Sequence, residues 1–160
     1  GDGQRWLRGL RRHWEWLEFK QRLDEDRLQQ VRTGTSARVA PLDIVVPDPD
    51  SRQFLEAVYR EYPEMQCELP LESATALIEF RPEDLVERLA PRPVLFIHGA
   101  ADRQVAVDES LALFERCGEP RQVEIVPGMG HFDWVMAHSP GFARVMDLSL
   151  GFLGTHLPVQ

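Results

Sequence analysis

The amino-acid sequence predicts an α/β fold in which two parallel strands with flanking helices follow a mostly helical segment. Apolar residues in the first part of the chain recur every three or four positions, the spacing of one helix face. After Pro93 the pattern changes to short apolar runs that alternate with helical stretches, as in strand-helix-strand units. We therefore expect two domains, a helical one over residues 1–90 and an α/β one over residues 91–160.

The composition restricts the classes of partner. The chain is 43% hydrophobic with a formal net charge of −8, and no apolar run is long enough to cross a bilayer. An acidic surface repels phosphate backbones, so we expect neither nucleic acid nor a membrane as partner. Cys67 and Cys117 lie in no redox or metal motif, which favours reduced thiols and a cytoplasmic location. No set of potential ligands has metal-binding spacing, and we expect neither a metal nor another cofactor.

The N-terminal pattern predicts one long helix over residues 4–32. Gly34 follows it and is expected to end it, with Arg32 in the last turn. Apolar residues recur at helical spacing along the face that we expect to be buried: Leu7, Leu10, Trp14, Leu17, Leu28 and Val31.

Prolines divide the rest of the helical part into three shorter helices. The first is expected to begin at Asp50 or Ser51 and to end before Pro63. The second covers residues 71–80. The third lies within residues 81–93, since a proline near its first turn and another just past its end suit a helix.

The α/β part is predicted from two apolar runs. Residues 94–97 suit a strand that is buried on both faces of a parallel sheet, and residues 122–126 form the second strand. A helix over residues 108–117 lies between them, with Gly118 as its C-cap. A last helix opens at Ser139 or Gly141.

Two side chains with acid-base chemistry follow these strands. Asp102 lies just past the carboxyl end of the first strand, and His131 lies just past the carboxyl end of the second. Ligand sites of open parallel sheets form at that edge, so we expect the two side chains to lie within hydrogen-bonding reach. A carboxylate that accepts from one imidazole nitrogen fixes the tautomer, and the other nitrogen can then take a proton from a nucleophile.

Glycines and other polar residues surround this pair. We expect Gly99 to let the chain turn after the strand, and Gly128 and Gly130 to let a loop place His131 without a clash. His98 is interpreted as a structural or site-lining residue. Asp133 is interpreted as a solvated loop residue, with a supporting role near the histidine as the alternative.

The segments "PVLFIHGAADRQV" and "VEIVPGMGHFDW" resemble the acid loop and the histidine loop of the α/β hydrolases, in the family's order of acid before histidine. The likeness is to the dienelactone hydrolase, acetyl esterase and prolyl-oligopeptidase-like branch, and it covers residues 91–158. Val105-Ala106 departs from the Val-Pro that this family often has there. Upstream residues resemble a helical cap. The resemblance implies that Asp102 and His131 are catalytic and that the chain corresponds to the cap and C-terminal half of such an enzyme.

The family's nucleophile motif, Gly-x-Ser-x-Gly, surrounds no serine of this sequence. The resemblance therefore implies a serine-hydrolase-type activity on a small-molecule ester, amide or peptide whose nucleophile comes from an N-terminal half or from another chain. We expect the 160 residues alone to be inactive; Ser36, Ser110 and Ser139 are the first serines to test if they are not. The alternative is a non-catalytic interaction protein, or an inactive truncated hydrolase, that pairs with another chain.

Overall fold

The computed structural model describes residues 1–157 and divides the chain into two compact units. One unit contains Asp2–Arg81, and the other begins at Pro82 and includes Gly1. The division falls after Arg81, whereas the sequence placed a boundary after residue 90. Residues 158–160 lie outside the described residues. They include the end of the predicted domain 91–160 and Pro158, where the family likeness ends.

The first unit is mostly helical, as the sequence predicts. Its helices and strands are α1 (Gly3–Gly9), α2 (His13–Thr33), β1 (Arg38–Val39), α3 (Pro41–Ile44), α4 (Pro49–Glu61), β2 (Leu69–Pro70) and α5 (Ser73–Glu79). β1 and β2 form a short antiparallel pair that the sequence did not predict. Two residues per strand are too few to show the alternation that identifies a strand.

The prediction of one helix over residues 4–32 is wrong, because the helix is interrupted between Gly9 and His13. Arg12 has an extended conformation, and its backbone N–H donates to Glu15 Oε2 at 2.7 Å. An acidic residue at the third helical position commonly begins a helix in this way. The predicted stop at Gly34 is confirmed, since Gly34 is left-handed with φ 75°.

The interruption changes which face of the sequence is buried. Leu7 is fully buried as expected, but Trp14 and Leu17 are each 54% exposed. The buried residues of α2 are Trp16, Phe19, Leu23 and Asp26. A helix that restarts after a non-helical segment has a new rotational phase, so a face extrapolated from α1 across the break does not hold.

Asp26 connects α2 to the segment that leads into β1. Its side chain accepts hydrogen bonds from Ala37 N at 2.6 Å, Ser36 Oγ at 2.7 Å and Gln30 Nε2 at 2.7 Å. Burial by itself raises the pKa of Asp26, but these three hydrogen bonds outweigh it and hold the pKa below its ordinary value. The ionised carboxylate is therefore the form that the fold stabilises.

The later helices of the first part differ from the prediction at their ends. α4 begins two or three residues earlier than expected, because Asp48, rather than Asp50 or Ser51, is the N-cap and accepts from Asp50 N at 3.0 Å. The helix predicted within residues 81–93 is wrong, and two short 3₁₀ segments, Pro82–Asp84 and Val86–Leu89, take its place in the second unit. Leu85, with φ −125°, separates the two segments, and the second one ends at its C-cap Ala90, which precedes Pro91 and has a non-helical ψ of 143°.

The second unit has the predicted α/β order: β3 (Val94–Gly99), α6 (Val107–Arg116), β4 (Arg121–Val126) and α7 (Pro140–His156). β3 and β4 are hydrogen-bonded neighbours and run parallel, which confirms the prediction. Phe96 of β3 meets Phe114 of α6 edge to face, with ring centroids 6.5 Å apart. The parallel pair and the helix between its strands form a strand-helix-strand unit, and the two rings contribute to the packing of α6 on β3.

The structure of this unit differs from the expectation at Gly118 and in β3. Gly118 is not the C-cap of α6, which is Cys117; instead, a Cβ on Gly118 would lie 2.7 Å from Ala90 Cβ. β3 was expected to be buried on both faces, but its first four residues are only partly buried. Within residues 1–157 the sheet contains two strands, so each strand has a single neighbour.

The last helix was expected to open at Ser139 or Gly141, and Ser139 is the N-cap of α7. Its Oγ accepts from Phe142 N at 3.0 Å. Within residues 1–157, no helix has the length and apolar character that crossing a membrane requires.

Candidate active site

The predicted acid-base pair lies at the carboxyl ends of β3 and β4. His131 Nδ1 and Asp102 Oδ2 are 2.8 Å apart, which confirms the expected hydrogen-bonding reach. The Asp102 side chain is 7% exposed and the His131 side chain 31% exposed. The carboxylate is therefore largely shielded from water, while the imidazole remains accessible.

The backbone fixes the orientation of Asp102. Its Oδ1 accepts from Gln104 N at 2.9 Å and from Val105 N at 2.8 Å. The carboxylate therefore binds the backbone of the loop that follows it. Its other oxygen, Oδ2, is left for His131. Both oxygens are thus engaged, and the hydrogen bonds to Oδ1 determine where Oδ2 points.

The acid loop and the histidine loop are joined through Gly99 and Met129. Ala101 N donates to Met129 O at 3.0 Å. A Cβ on Gly99 would lie 2.1 Å from that same oxygen, closer than any real contact. Glycine is required here because the histidine loop passes against the strand end, and not because the chain needs a sharp turn, as the sequence suggested. Gly128 does need conformational freedom, since its φ is 71°.

Asp133 holds the histidine loop from its other side. Its Oδ2 accepts from Gly130 N at 2.6 Å, and its backbone carbonyl accepts from Ser139 Oγ at the start of α7. Gly141 packs against the same residue, with a Cβ position 2.6 Å from Asp133 O. Asp133 is an exposed loop residue, as expected, and its hydrogen bond to Gly130 also supports the segment that carries His131.

His98 is more closely connected to the site than the sequence indicated. Its ring is 8% exposed, with Nδ1 2.7 Å from Ser110 Oγ and Nε2 3.0 Å from Val105 O. Nε2 also lies 3.5 Å from Asp102 Oδ2. The position of His98 at a strand end was visible in the sequence, but its contact with α6 depends on how the helix packs.

The three serines considered as alternative nucleophiles have structural contacts. Ser36 binds Asp26, and Ser139 caps α7. Ser110 bonds to His98 near a carboxylate, which superficially has the order of a catalytic triad. However, Nε2 of His98 bonds to the Val105 carbonyl rather than to a carboxylate, and the ring is only 8% exposed, so a substrate has little access to it. His131 is the imidazole with access to solvent.

The arrangement suits proton transfer. A carboxylate only accepts, so His131 Nδ1 donates to Asp102 and the neutral ring presents the lone pair of Nε2. Among residues 1–157, Nε2 of His131 has no hydrogen-bond partner. Within the same residues, no group of three or more His, Cys, Asp or Glu side chains is arranged to hold a metal ion.

No protein-family model matches the chain. Among curated proteins, it is 36% identical over 52 residues to a polyketide transferase from Gibberella fujikuroi, an alignment that covers 32% of this chain and 16% of the relative. It is 27% identical over 74 residues to the polyketide transferase grgF from Penicillium sp, covering 46% of this chain and 24% of the relative.

Solved structures match almost the whole chain. The α/β hydrolase GrgF from Penicillium sp. sh18 has a TM-score of 0.64 at 16% identity, covering 91% of this chain and 50% of its own. DcsB, solved with a substrate analogue, has a TM-score of 0.71 at 19% identity, covering 91% of this chain and 53% of its own. A monoacylglycerol lipase from Paleococcus ferrophilus has a TM-score of 0.57 at 18% identity, covering 83% of this chain and 51% of its own. The chain therefore has the α/β-hydrolase fold and spans about half the length of these proteins.

Proposed function

We propose that Asp102 and His131 are the acid and the base of an acyl-transfer site of the serine-hydrolase type. The observation that carries the proposal is the 2.8 Å contact between the two side chains at the ends of neighbouring parallel strands. Asp102 holds the imidazole in the tautomer whose Nε2 accepts a proton, and it stabilises the imidazolium that then forms. The α/β-hydrolase neighbours support this assignment by their fold.

The proposed reaction begins when Nε2 of His131 takes the proton of a nucleophilic hydroxyl as its oxygen attacks an ester or amide carbonyl. The same nitrogen then protonates the leaving alcohol or amine, which leaves an acyl-enzyme. A second nucleophile, activated by His131, releases the acyl group. Water gives hydrolysis, and an alcohol or amine acceptor gives transfer, the reaction class in the names of the two curated relatives.

The attacking hydroxyl is proposed to come from outside the 160 residues, in a preceding segment or another chain, because no Gly-x-Ser-x-Gly motif occurs in them. Backbone donors that stabilise the oxyanion belong to the same proposed part, and they commonly account for about 3–4 kcal/mol of barrier reduction each. The 160 residues by themselves are thus expected to hydrolyse short p-nitrophenyl esters no faster than their His131→Ala variant.

The test compares two forms of the protein. An N-terminal read and an accurate mass of the protein from its native source establish whether a nucleophile segment precedes Gly1. In a form that contains such a segment, or receives it in trans, ester turnover should appear. His131→Ala should reduce it by about 10²–10⁴-fold, the usual contribution of a general base, and Asp102→Asn should reduce it within the same range. The matched control is His138→Ala, which removes an exposed histidine of the same loop.

Either of two results would contradict the proposal. One is turnover in the nucleophile-containing form that His131→Ala leaves unchanged. The other is robust turnover by the 160 residues alone that His131→Ala abolishes, since this would place the nucleophile within them.

Non-catalytic pairing with another chain is the second candidate function. Four apolar residues on one side of α7 and at its end are 39–69% exposed: Met146, Leu150, Leu153 and Leu157. Their spacing of four, three and four residues gives a continuous stripe, the pattern of helices that pack on a partner. Light scattering should then show a dimer that Leu150→Glu dissociates and Gly151→Glu, an adjacent position with open space, does not. A monomer at every concentration would exclude pairing between copies.

A further inference from the structure

A continuous run of hydrogen bonds leads from α6 to the imidazole of His131. It begins at Ser110 on α6, which contacts His98 Nδ1 at 2.7 Å. His98 Nε2 contacts Val105 O at 3.0 Å, and Val105 N donates to Asp102 Oδ1 at 2.8 Å. Asp102 Oδ2 completes the run with its 2.8 Å contact to His131 Nδ1. Four contacts of ordinary length thus connect a helix side chain to the proposed base.

The chemistry of the partners fixes the direction of each bond. A backbone carbonyl oxygen only accepts, so His98 Nε2 carries the proton that points at Val105 O. In the neutral ring Nδ1 is then an acceptor, and the Ser110 hydroxyl donates to it. Only one tautomer of His98 satisfies both contacts. The Val105 carbonyl therefore selects the tautomer of a ring that is 8% exposed, and the Ser110 hydroxyl, which can donate or accept, donates to the nitrogen that remains.

Val105 is the residue through which this ring acts on the carboxylate. Its carbonyl is held by His98, and its N–H is one of the two donors to Asp102 Oδ1. Both donors come from the loop that follows Asp102, which has no regular secondary structure. A loop held at only one end would let the carboxylate rotate. The additional 3.5 Å approach of His98 Nε2 to Asp102 Oδ2 favours the same orientation electrostatically.

We propose that His98 is a positioning residue, which uses Ser110 and Val105 to hold the Asp102 carboxylate toward His131. The inference rests on the proposed function in one respect, namely that the contact between Asp102 and His131 is the working part of the site. His98 itself does not contact the reacting atoms. Its effect on the site is the fixed direction of Asp102 Oδ2, and hence the tautomer of His131.

The experiment uses the 160-residue chain and needs no enzymatic activity. Nitrogen-detected NMR spectra of the histidine rings report which nitrogen of His131 carries the proton. Two substitutions separate the two ends of the His98 ring. The amide nitrogen of His98→Gln lies where Nε2 was and can still donate to Val105 O, whereas His98→Asn retains polar atoms only on the Ser110 side.

In the native chain and in His98→Gln, His131 should be the Nδ1–H tautomer, with a strongly deshielded proton shared with Asp102. In His98→Asn, this proton resonance should be lost and the majority tautomer should reverse to Nε2–H. The Val105 amide should also exchange with solvent at least about tenfold faster, as its bond to Asp102 weakens. His138→Ala is the matched control and should change neither reading, since its ring is exposed.

Ser110→Ala provides a milder variant if the substitutions at His98 prevent folding. It leaves Nδ1 of the buried His98 ring without its donor and so weakens the hold of the ring on Val105, and faster exchange of the Val105 amide is again expected. A folded His98→Asn protein that keeps the His131 Nδ1–H resonance would overturn the proposed role of His98, while the proposed function would stand. A native spectrum without that resonance would instead contradict the contact between Asp102 and His131, and with it both the proposed function and this inference.

Discussion

Gly99→Ala is expected to destabilise the second unit and displace the histidine loop. The new Cβ would lie 2.1 Å from Met129 O and 2.8 Å from Met129 C. Ordinary contact begins near 3.4 Å, so the backbone at Met129 must move by more than 1 Å. Both obstructing atoms belong to the backbone, and no side-chain rotation can relieve the clash. The movement also stretches the hydrogen bond from Ala101 N to Met129 O.

The size of the effect follows from these two losses. Overpacking of this kind costs about 1–3 kcal/mol, and loss of one backbone hydrogen bond costs about 1 kcal/mol. Together they give about 2–4 kcal/mol, and at about 2–4 °C per kcal/mol for a chain of this size the Tm should fall by roughly 5–15 °C. Because Met129 is two residues from His131, the Nδ1–H resonance shared with Asp102 should also weaken.

The assay is thermal unfolding followed by circular dichroism, together with the histidine NMR spectrum. Gly151→Ala is the matched control, since its Cβ would meet nothing within 4 Å and it lies within α7. Alanine is the better helix former by about 1 kcal/mol, so the control should leave the Tm unchanged or raise it. Equal Tm values for the two variants would refute the reasoning that the strand end and the loop are in backbone contact.

Three further predictions concern stability and nucleophilicity. Asp26→Asn should lower the urea midpoint at pH 7, whereas Asp24→Asn, at an exposed position, should not. Because folding lowers the pKa of Asp26, its carboxylate stabilises the fold fully above the unfolded pKa of about 4. This stabilisation should vanish as the pH falls through the folded-state pKa. Trp16→Ala should cost about 3–5 kcal/mol and Trp14→Ala well under 1 kcal/mol, because Trp16 is 5% and Trp14 54% exposed; similar values would contradict the burial of α2. A fluorophosphonate probe should leave the 160-residue chain unlabelled, and labelling of Ser110 would show that it is a nucleophile.

Much of the second unit could be predicted from the sequence, because its signals are local. The apolar runs before and after α6 predict two strands, and the helix between them predicts that they are parallel neighbours. Asp102 and His131 follow those strands directly, so their meeting at one edge of the sheet required only the topology. The end of α2 at Gly34 and the start of α7 at Ser139 are equally local signals, since each depends on the conformation or side chain of a single residue.

Tertiary structure decided what depends on packing or on rotational phase. The buried face of α2 could not be extrapolated from Leu7, because the interruption before His13 resets the phase of the helix. The reason for glycine at position 99 is the passage of Met129 against the strand end, and position 118 is glycine because Ala90 packs there. No local pattern reveals such contacts between distant segments.

The connection of His98 to the site is of the same kind. Sequence places His98 at a strand end, but its partner Ser110 lies on α6 and its other partner, the Val105 carbonyl, is a backbone atom without a residue signature. The sequence by itself thus determined the fold class and the two residues of the proposed acid-base pair, through local periodicity and strand-end placement. The tertiary structure decided which groups hold that pair in place, because hydrogen bonds between separate elements exist only after the helices and strands have packed.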